Sequence, residues 1–112
     1  MLDRENFVGS WAGVPIAWNE DGNFDESTYR RDVQACCQAG APGVYTHGTT
    51  GEFYAVELDE WQAVCTAAVD ECRKAGTPIA LGVTSTYTLG AVRRARIAAE
   101  LGADSVQVAV PL

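Results

Sequence analysis

The stretch that decides the reading is Gly43-Val44-Tyr45-Thr46-His47-Gly48-Thr49-Thr50-Gly51-Glu52-Phe53-Tyr54-Ala55-Val56-Glu57-Leu58-Asp59-Glu60-Trp61. It opens on a short β-prone run at residues 43–47, passes through a polar loop bounded by glycines at residues 48–52, and enters an amphipathic helix at about Leu58. The helix is expected to run to Ala75 and stop at Gly76, because Leu58, Trp61, Val64, Cys65, Ala68 and Cys72 recur at spacings of three and four residues. Arg73 and Lys74 fall in its last turn, where the helix dipole favours cations. Glu57 is a weak cap compared with Ser, Thr or Asp.

The same strand-then-helix grammar repeats on both sides. Upstream, residues 14–18 form an apolar run expected to be a buried strand, followed by the turn Asn19-Glu20-Asp21-Gly22-Asn23. Asp25 then caps a helix with Tyr29, Val33, Cys36 and Cys37 on one face and Gly40 at its stop. Downstream, residues 78–83 read as a strand and residues 84–86 as a loop. A helix follows, capped by Thr88, with Ala91, Val92, Ala95, Ala98 and Ala99 inward and Gly102 at its end. A fourth strand is expected at residues 105–110. Strands separated by single helices imply right-handed crossovers and a parallel sheet, so the fold class is α/β. No Gly-x-Gly-x-x-Gly loop follows the first strand, as a doubly wound sheet would usually have, but periodicity alone leaves a small open sheet and part of a barrel both open.

The chain has 112 residues, 47% apolar and 21% charged, which is the composition of an ordinary globular domain; residues 1–112 are expected to form one. A formal charge of −7 opposes the counterion release that drives nucleic-acid binding and the attraction of anionic lipid, so neither nucleic acid nor membrane is an expected partner. The acidic start Met1-Leu2-Asp3-Arg4-Glu5 lacks the basic and apolar regions of a signal peptide, and a cytoplasmic location is expected. Cys36 and Cys37 are adjacent, Cys65 and Cys72 lie on one helical face, and no Cys-x-x-Cys spacing occurs; the four read as buried thiols, with no metal site expected.

In parallel α/β sheets ligands sit at the carboxyl ends of the strands. There the loop at residues 48–52 offers two glycines, which let backbone N–H groups approach a ligand, and two hydroxyls near a helix start, a combination suited to a small carboxylate or phosphate. On the residues alone, a plain strand-to-helix connection whose threonines satisfy their own backbone is an equal reading.

The run Tyr45-Thr46-His47-Gly48-Thr49-Thr50-Gly51-Glu52-Phe53-Tyr54 resembles the second strand and loop of the dihydrodipicolinate synthase / N-acetylneuraminate lyase family, with weaker support from Asn19-Glu20-Asp21-Gly22, Ala39-Gly40 and Leu101-Gly102-Ala103-Asp104. The resemblance covers essentially the whole chain. It implies the N-terminal (β/α)3-β portion of a TIM (β/α)8 barrel, strands 1 to 4, in an enzyme that forms a Schiff base between a lysine and pyruvate or another small 2-oxo acid, without a cofactor. It further implies that Thr50, with the backbone of Gly48 and Gly51, holds the 2-oxo acid carboxylate and that Thr49 joins a tyrosine proton relay. The family's Schiff-base lysine belongs to the sixth strand and its principal tyrosine lies near the fifth, so both fall past Leu112.

Lys74 is the only lysine and is expected at the surface. His47 is expected on the opposite strand face from Thr46 by simple alternation, away from the barrel interior, as a structural residue or one that backs the site without touching substrate. Glu52 is expected to order the loop through backbone N–H groups rather than act as a base, and Ser85 and Tyr87 to be solvated loop residues. Ile16-Ala17-Trp18 stands where the family often has Thr-Pro-Phe, and Pro111-Leu112 where it often has Pro-Tyr-Tyr. The implied reaction is therefore widened from dihydrodipicolinate synthesis to a lyase, aldolase or dehydratase acting on a 2-oxo acid.

A barrel needs roughly 250 residues. The leading expectation is thus an N-terminal segment that carries the carboxylate loop without the amine and is inactive alone. The competing one is a non-catalytic half-barrel that pairs with itself or another chain through exposed strand edges and binds at most a small carboxylate; a homo-oligomer is expected.

Overall fold

Asp25 opens the first helix as the sequence requires: one carboxylate oxygen accepts the Thr28 N–H at 3.2 Å and the other the Thr28 hydroxyl at 2.8 Å. In the computed structural model, which describes residues 2–110, that helix is α1, Glu26–Gln38. The other elements are strands β1 (Ala12–Gly13), β2 (Val44–Thr46), β3 (Ile79–Gly82) and β4 (Ser105–Gln107), helices α2 (Leu58–Ala75) and α3 (Thr88–Leu101), and a short 3₁₀ turn at Phe53–Ala55. Gly40, Gly76 and Gly102 follow the three helices with φ of +86°, +71° and +85°, the left-handed stop that glycine adopts without a Cβ penalty.

All strand pairs are parallel and the order is β1-β2-β3-β4, so sequence neighbours are spatial neighbours throughout. A doubly wound sheet would reverse direction at a switch point within its first four strands. Here α1 packs on α2 and α2 on α3, all against one face of the sheet. This one-sided, non-reversing order is the arc of a (β/α) barrel, and it resolves the choice that periodicity left open.

Val44, Thr46, Ile79 and Leu81 point into the helical layer and meet Tyr29 and Val33 of α1 and Trp61, Val64, Cys65 and Cys72 of α2. Tyr45, Ala80 and Ser105 share one register and face the other side, which Phe7 and Trp11, stacked at 4.8 Å, partly cover. The buried carboxylate of Glu71, 2% exposed, is satisfied at the α1–α2 seam by Arg30 at 2.8 Å and Gln34 at 2.8 Å. These partners, Gln34 foremost, hold its pKa down at about 2.

Four local expectations need correction. The first strand is not residues 14–18 but Ala12–Gly13: Ala12 and Val14 donate to Gly43 and Tyr45, and no further backbone bond to β2 follows among the described residues. Val14 and Ile16 are buried all the same, so the apolar run records packing rather than strand pairing. β4 ends at Gln107 instead of residue 110, and Ala109 turns its N–H to the Thr84 hydroxyl at 2.9 Å. The α3 cap is Tyr87, with Thr88 the first helical residue; Gly90 and Ala98 are its buried residues, Ala95, Ile97 and Leu101 pack half-buried against the core, and Val92 and Ala99 are exposed. Glu57 is a better cap than its type indicates, because Glu60 reaches back to accept its N–H at 3.0 Å.

Candidate functional site

The loop at residues 48–52 leaves the carboxyl end of β2 between two residues in the left-handed region, His47 (φ +55°) and Glu52 (φ +56°). Inside it, the Glu52 N–H closes a turn on the Thr49 carbonyl at 3.2 Å. The N–H groups of Gly48, Thr49, Thr50 and Gly51 take no backbone carbonyl among the described residues, and both threonines are exposed. Gly51 is forced by space: a Cβ there would lie 2.6 Å from the His47 nitrogen and 3.2 Å from that of Gly48. The result is a tightly folded loop in which Gly51 is buried, the Thr49 and Thr50 side chains are exposed and four successive amides take no backbone carbonyl, a composition suited to holding a carboxylate.

Neighbouring strands frame the loop. The Tyr45 ring lies across Gly13, where a Cβ would sit 2.5 Å from its Cζ, and a Cβ on Gly48 would lie 3.0 Å from its Cε2. The same Cβ would lie 3.9 Å from Gln107 Oε1. Sequence reasoning overlooked both side chains. Period-two alternation along β2 and β4 was the available signal, since it places Tyr45 and Gln107 on the sheet face away from the helices.

Glu52 departs from expectation. Its carboxylate accepts the indole N–H of Trp18 at 3.3 Å, stitching the loop after β1 to the loop after β2 rather than binding backbone amides.

His47 also departs, in its direction. It is 2% exposed and lies on the same side as Thr46, not opposite it, because its positive φ breaks the alternation just past the last paired residue. Its Nδ1 lies 3.0 Å from the Thr46 hydroxyl and 3.6 Å from Cys65 Sγ, and its ring packs on Trp61 at 5.7 Å. Burial, helped by nearby Arg94, pushes its pKa down to about 4, while burial pushes the Cys65 thiol up to about 12. A neutral imidazole beside a neutral thiol is no thiolate nucleophile.

Cys36, Cys37, Cys65 and Cys72 are all free thiols, the last two buried. Ser85 is half-buried rather than solvated, packed with the Tyr87 ring against Gly90, while Tyr87 itself is exposed. Lys74 is exposed, 3.3 Å from Glu71, in the last turn of α2. At 1.5 Å per residue it stands about 24 Å along the helix from Leu58, at the opposite end from the loop. Among the described residues no cluster of His, Cys, Asp and Glu is arranged to hold a metal, and no helix is long and apolar enough to cross a membrane.

With this geometry in place, the likeness to known proteins is specific. The chain is 32% identical over 105 residues to 4-hydroxy-tetrahydrodipicolinate synthase of Methanothrix thermoacetophila, covering 94% of this chain and 35% of the relative. It is 34% identical over 106 residues to a Streptomyces coelicolor protein named Probable 5-dehydro-4-deoxyglucarate dehydratase 2, covering 94% and 32%. Among solved structures, the chloride-inhibited dihydrodipicolinate synthase of Acinetobacter baumannii, complexed with pyruvate, superposes with a TM-score of 0.86 at 25% identity, covering 92% of this chain and 35% of that one. The chain spans about a third of the length of these relatives, and its four parallel strands are the N-terminal portion of their TIM-barrel fold. The Dihydrodipicolinate synthetase family model matches residues 6–112, and the chain belongs to that family.

Proposed function

We propose that this chain supplies the carboxylate-binding portion of a Schiff-base 2-oxo acid lyase, aldolase or dehydratase, and that it lacks the amine the reaction needs. The observation that carries this reading is the loop at residues 48–51 at the carboxyl end of β2, where Thr49 and Thr50 are exposed and the amides take no backbone carbonyl among the described residues. In this reading Thr50 and the N–H groups of Gly48 and Gly51 hold the carboxylate of a pyruvate-like substrate, and Thr49 passes a proton toward a tyrosine supplied from outside residues 1–112. The pyruvate complex of the Acinetobacter relative supports the ligand class. The relatives' two names, a synthase and a dehydratase, leave the second half of the reaction to residues elsewhere.

Lys74 does not supply the amine, since a Schiff-base lysine is desolvated and this one is exposed and paired with Glu71. Pyruvate with borohydride, read by intact mass, should leave the chain unmodified, and an adduct on Lys74 would overturn the claim. Titration with pyruvate, followed by ¹H–¹⁵N NMR, should shift the amides of residues 48–51. Shifts confined to other residues would sink the carboxylate assignment.

A second reading, a half-barrel that pairs with another copy of itself, is favoured by the exposed Val106, Val108 and Val110 at the β4 edge. Light scattering at micromolar concentration separates the two, a monomer counting against obligatory pairing.

A further inference from the structure

We propose that His47 is a positioning residue whose buried neutral ring anchors the chain at the left-handed turn where β2 ends, and so fixes the aim of the amides at residues 48–51; this rests on the carboxylate reading of that loop. The backbone of His47 is enclosed on two sides. Gly51 folds back on its nitrogen, where a Cβ would sit 2.6 Å away, and Gly82 of β3 lies against its carbonyl, where a Cβ would sit 2.5 Å away. Only hydrogens fit between these segments, so the loop's path is set by where His47 stands.

The ring in turn has a defined seat. Thr46 of β2, Cys65 and Trp61 of α2, and the Arg94 guanidinium of α3 surround it, Cys65 and Arg94 being the ionisable groups that face it. Trp61 is itself pinned by donating its indole N–H to the Gly82 carbonyl at 2.9 Å. The positive φ is therefore held by side-chain packing from three elements, where glycine would reach it freely but without direction. A charged ring would be unwelcome in this seat, beside a cation and away from water. Nε2 is buried with no partner, so the anchoring contact is through Nδ1 and the ring faces.

This arrangement distinguishes the role of φ from that of the anchor. His47→Gly permits the turn and removes the anchor; His47→Ala removes the anchor and penalises the turn. His47→Asn tolerates the turn and keeps an amide atom at the place of Nδ1, within reach of the Thr46 hydroxyl. Thr46→Val leaves His47 intact and deletes its partner.

The experiment measures pyruvate affinity by NMR titration and, in the free protein, the φ-sensitive couplings of residues 47, 48 and 52, with thermal unfolding recorded for each variant. The expected result is that His47→Gly and His47→Ala weaken pyruvate about five- to tenfold, the equivalent of one lost hydrogen-bonded anchor, with altered couplings at residues 48 and 52. His47→Asn should restore affinity to within about threefold although it unfolds earlier than the parent, and Thr46→Val should fall between. Affinity that follows thermal stability alone, or a His47→Gly protein with parental couplings and affinity, would overturn the proposal. If the parent's loop amides do not respond to pyruvate, the carboxylate reading fails, while the couplings still decide whether His47 sets the loop.

Discussion

The indole N–H of Trp18 donates to Oε1 of Glu52 across 3.3 Å, and this one bond joins the loops that follow β1 and β2 at the site end of the sheet. Trp18→Phe keeps the ring packing and removes the donor, and should cost about 0.5–1.5 kcal/mol. Glu52→Gln keeps an acceptor and should cost less. Urea midpoints at unchanged slope measure both. A Glu52→Gln loss equal to or greater than that of Trp18→Phe would mean that the charge, not the bond, matters.

Gly51→Ala places a methyl group 2.6 Å from the His47 nitrogen, a distance no relaxed Cβ occupies, and the neighbour is backbone rather than a side chain that can swing away. We expect a loss of about 1–3 kcal/mol in stability together with weakened pyruvate binding. Gly22→Ala is the contrast. Its Cβ would meet nothing within 4 Å, although its φ of +79° still penalises alanine, so it should lose stability without changing the loop's pyruvate response.

Acid should destabilise the fold in two windows. Glu71 holds its pKa at about 2 through Gln34 and Arg30, against 4.5 for an ordinary glutamate, so the unfolded chain takes up the proton first. Its contribution is complete above pH 4.5 and disappears as pH falls through about 2. His47, at about 4 against 6.5, is likewise protonated more readily when unfolded; its contribution is complete above 6.5 and falls until about pH 4. Urea unfolding across pH 2–8 should therefore show Glu71→Gln flattening the lower window and His47→Asn the upper one. Glu71→Gln should also lower stability at neutral pH, on the order of 1–2 kcal/mol, since Arg30 is partly solvent-screened. Unaltered slopes in the variants would refute the assignment.

Trp61→Phe deletes the donor to the Gly82 carbonyl and opens space beside His47. A loss of about 1–3 kcal/mol is expected. Amide exchange should speed up at β3 and at His47 rather than at the α1–α2 seam, and uniform acceleration would argue against a local clamp.

Lys74→Met should change stability by less than about 0.5 kcal/mol, since among the described residues it pairs with Glu71 alone and its own side chain is solvated. Chemical denaturation checks this, and a loss above 1 kcal/mol would show that Lys74 holds Glu71 in place more firmly than Arg30 does.

The helices were legible from residues because each signal was local: Asp25 before α1, the three- and four-residue spacing of Trp61, Cys65 and Cys72 in α2, and the glycines at 40, 76 and 102. The loop at residues 48–52 was legible by its composition and its resemblance. β1 was misplaced because Val14 and Ile16 are as apolar as any strand, and only ladder partners across the sheet show that pairing stops after Val14. The place of His47 away from the barrel interior was legible, but its position relative to Thr46 was not, because strand alternation holds only while φ stays negative, and its sign there is fixed by Gly51, Gly82 and Trp61, which lie 4, 35 and 14 residues away.

By itself, then, the sequence determined three strand-helix periods and a fourth strand, an acidic chain, a glycine-bounded loop of two threonines, and no lysine outside the end of a helix. Tertiary structure alone decided that the strands run β1-β2-β3-β4 without reversal, that Glu52 answers Trp18, and that Tyr45 and Gln107 frame the loop. The physical reason is range. Periodicity, caps and stops act within a turn or two of chain, whereas sheet order, loop stitching and the seat of a buried ring are set by groups tens of residues apart that meet only when the parallel crossovers bring them together.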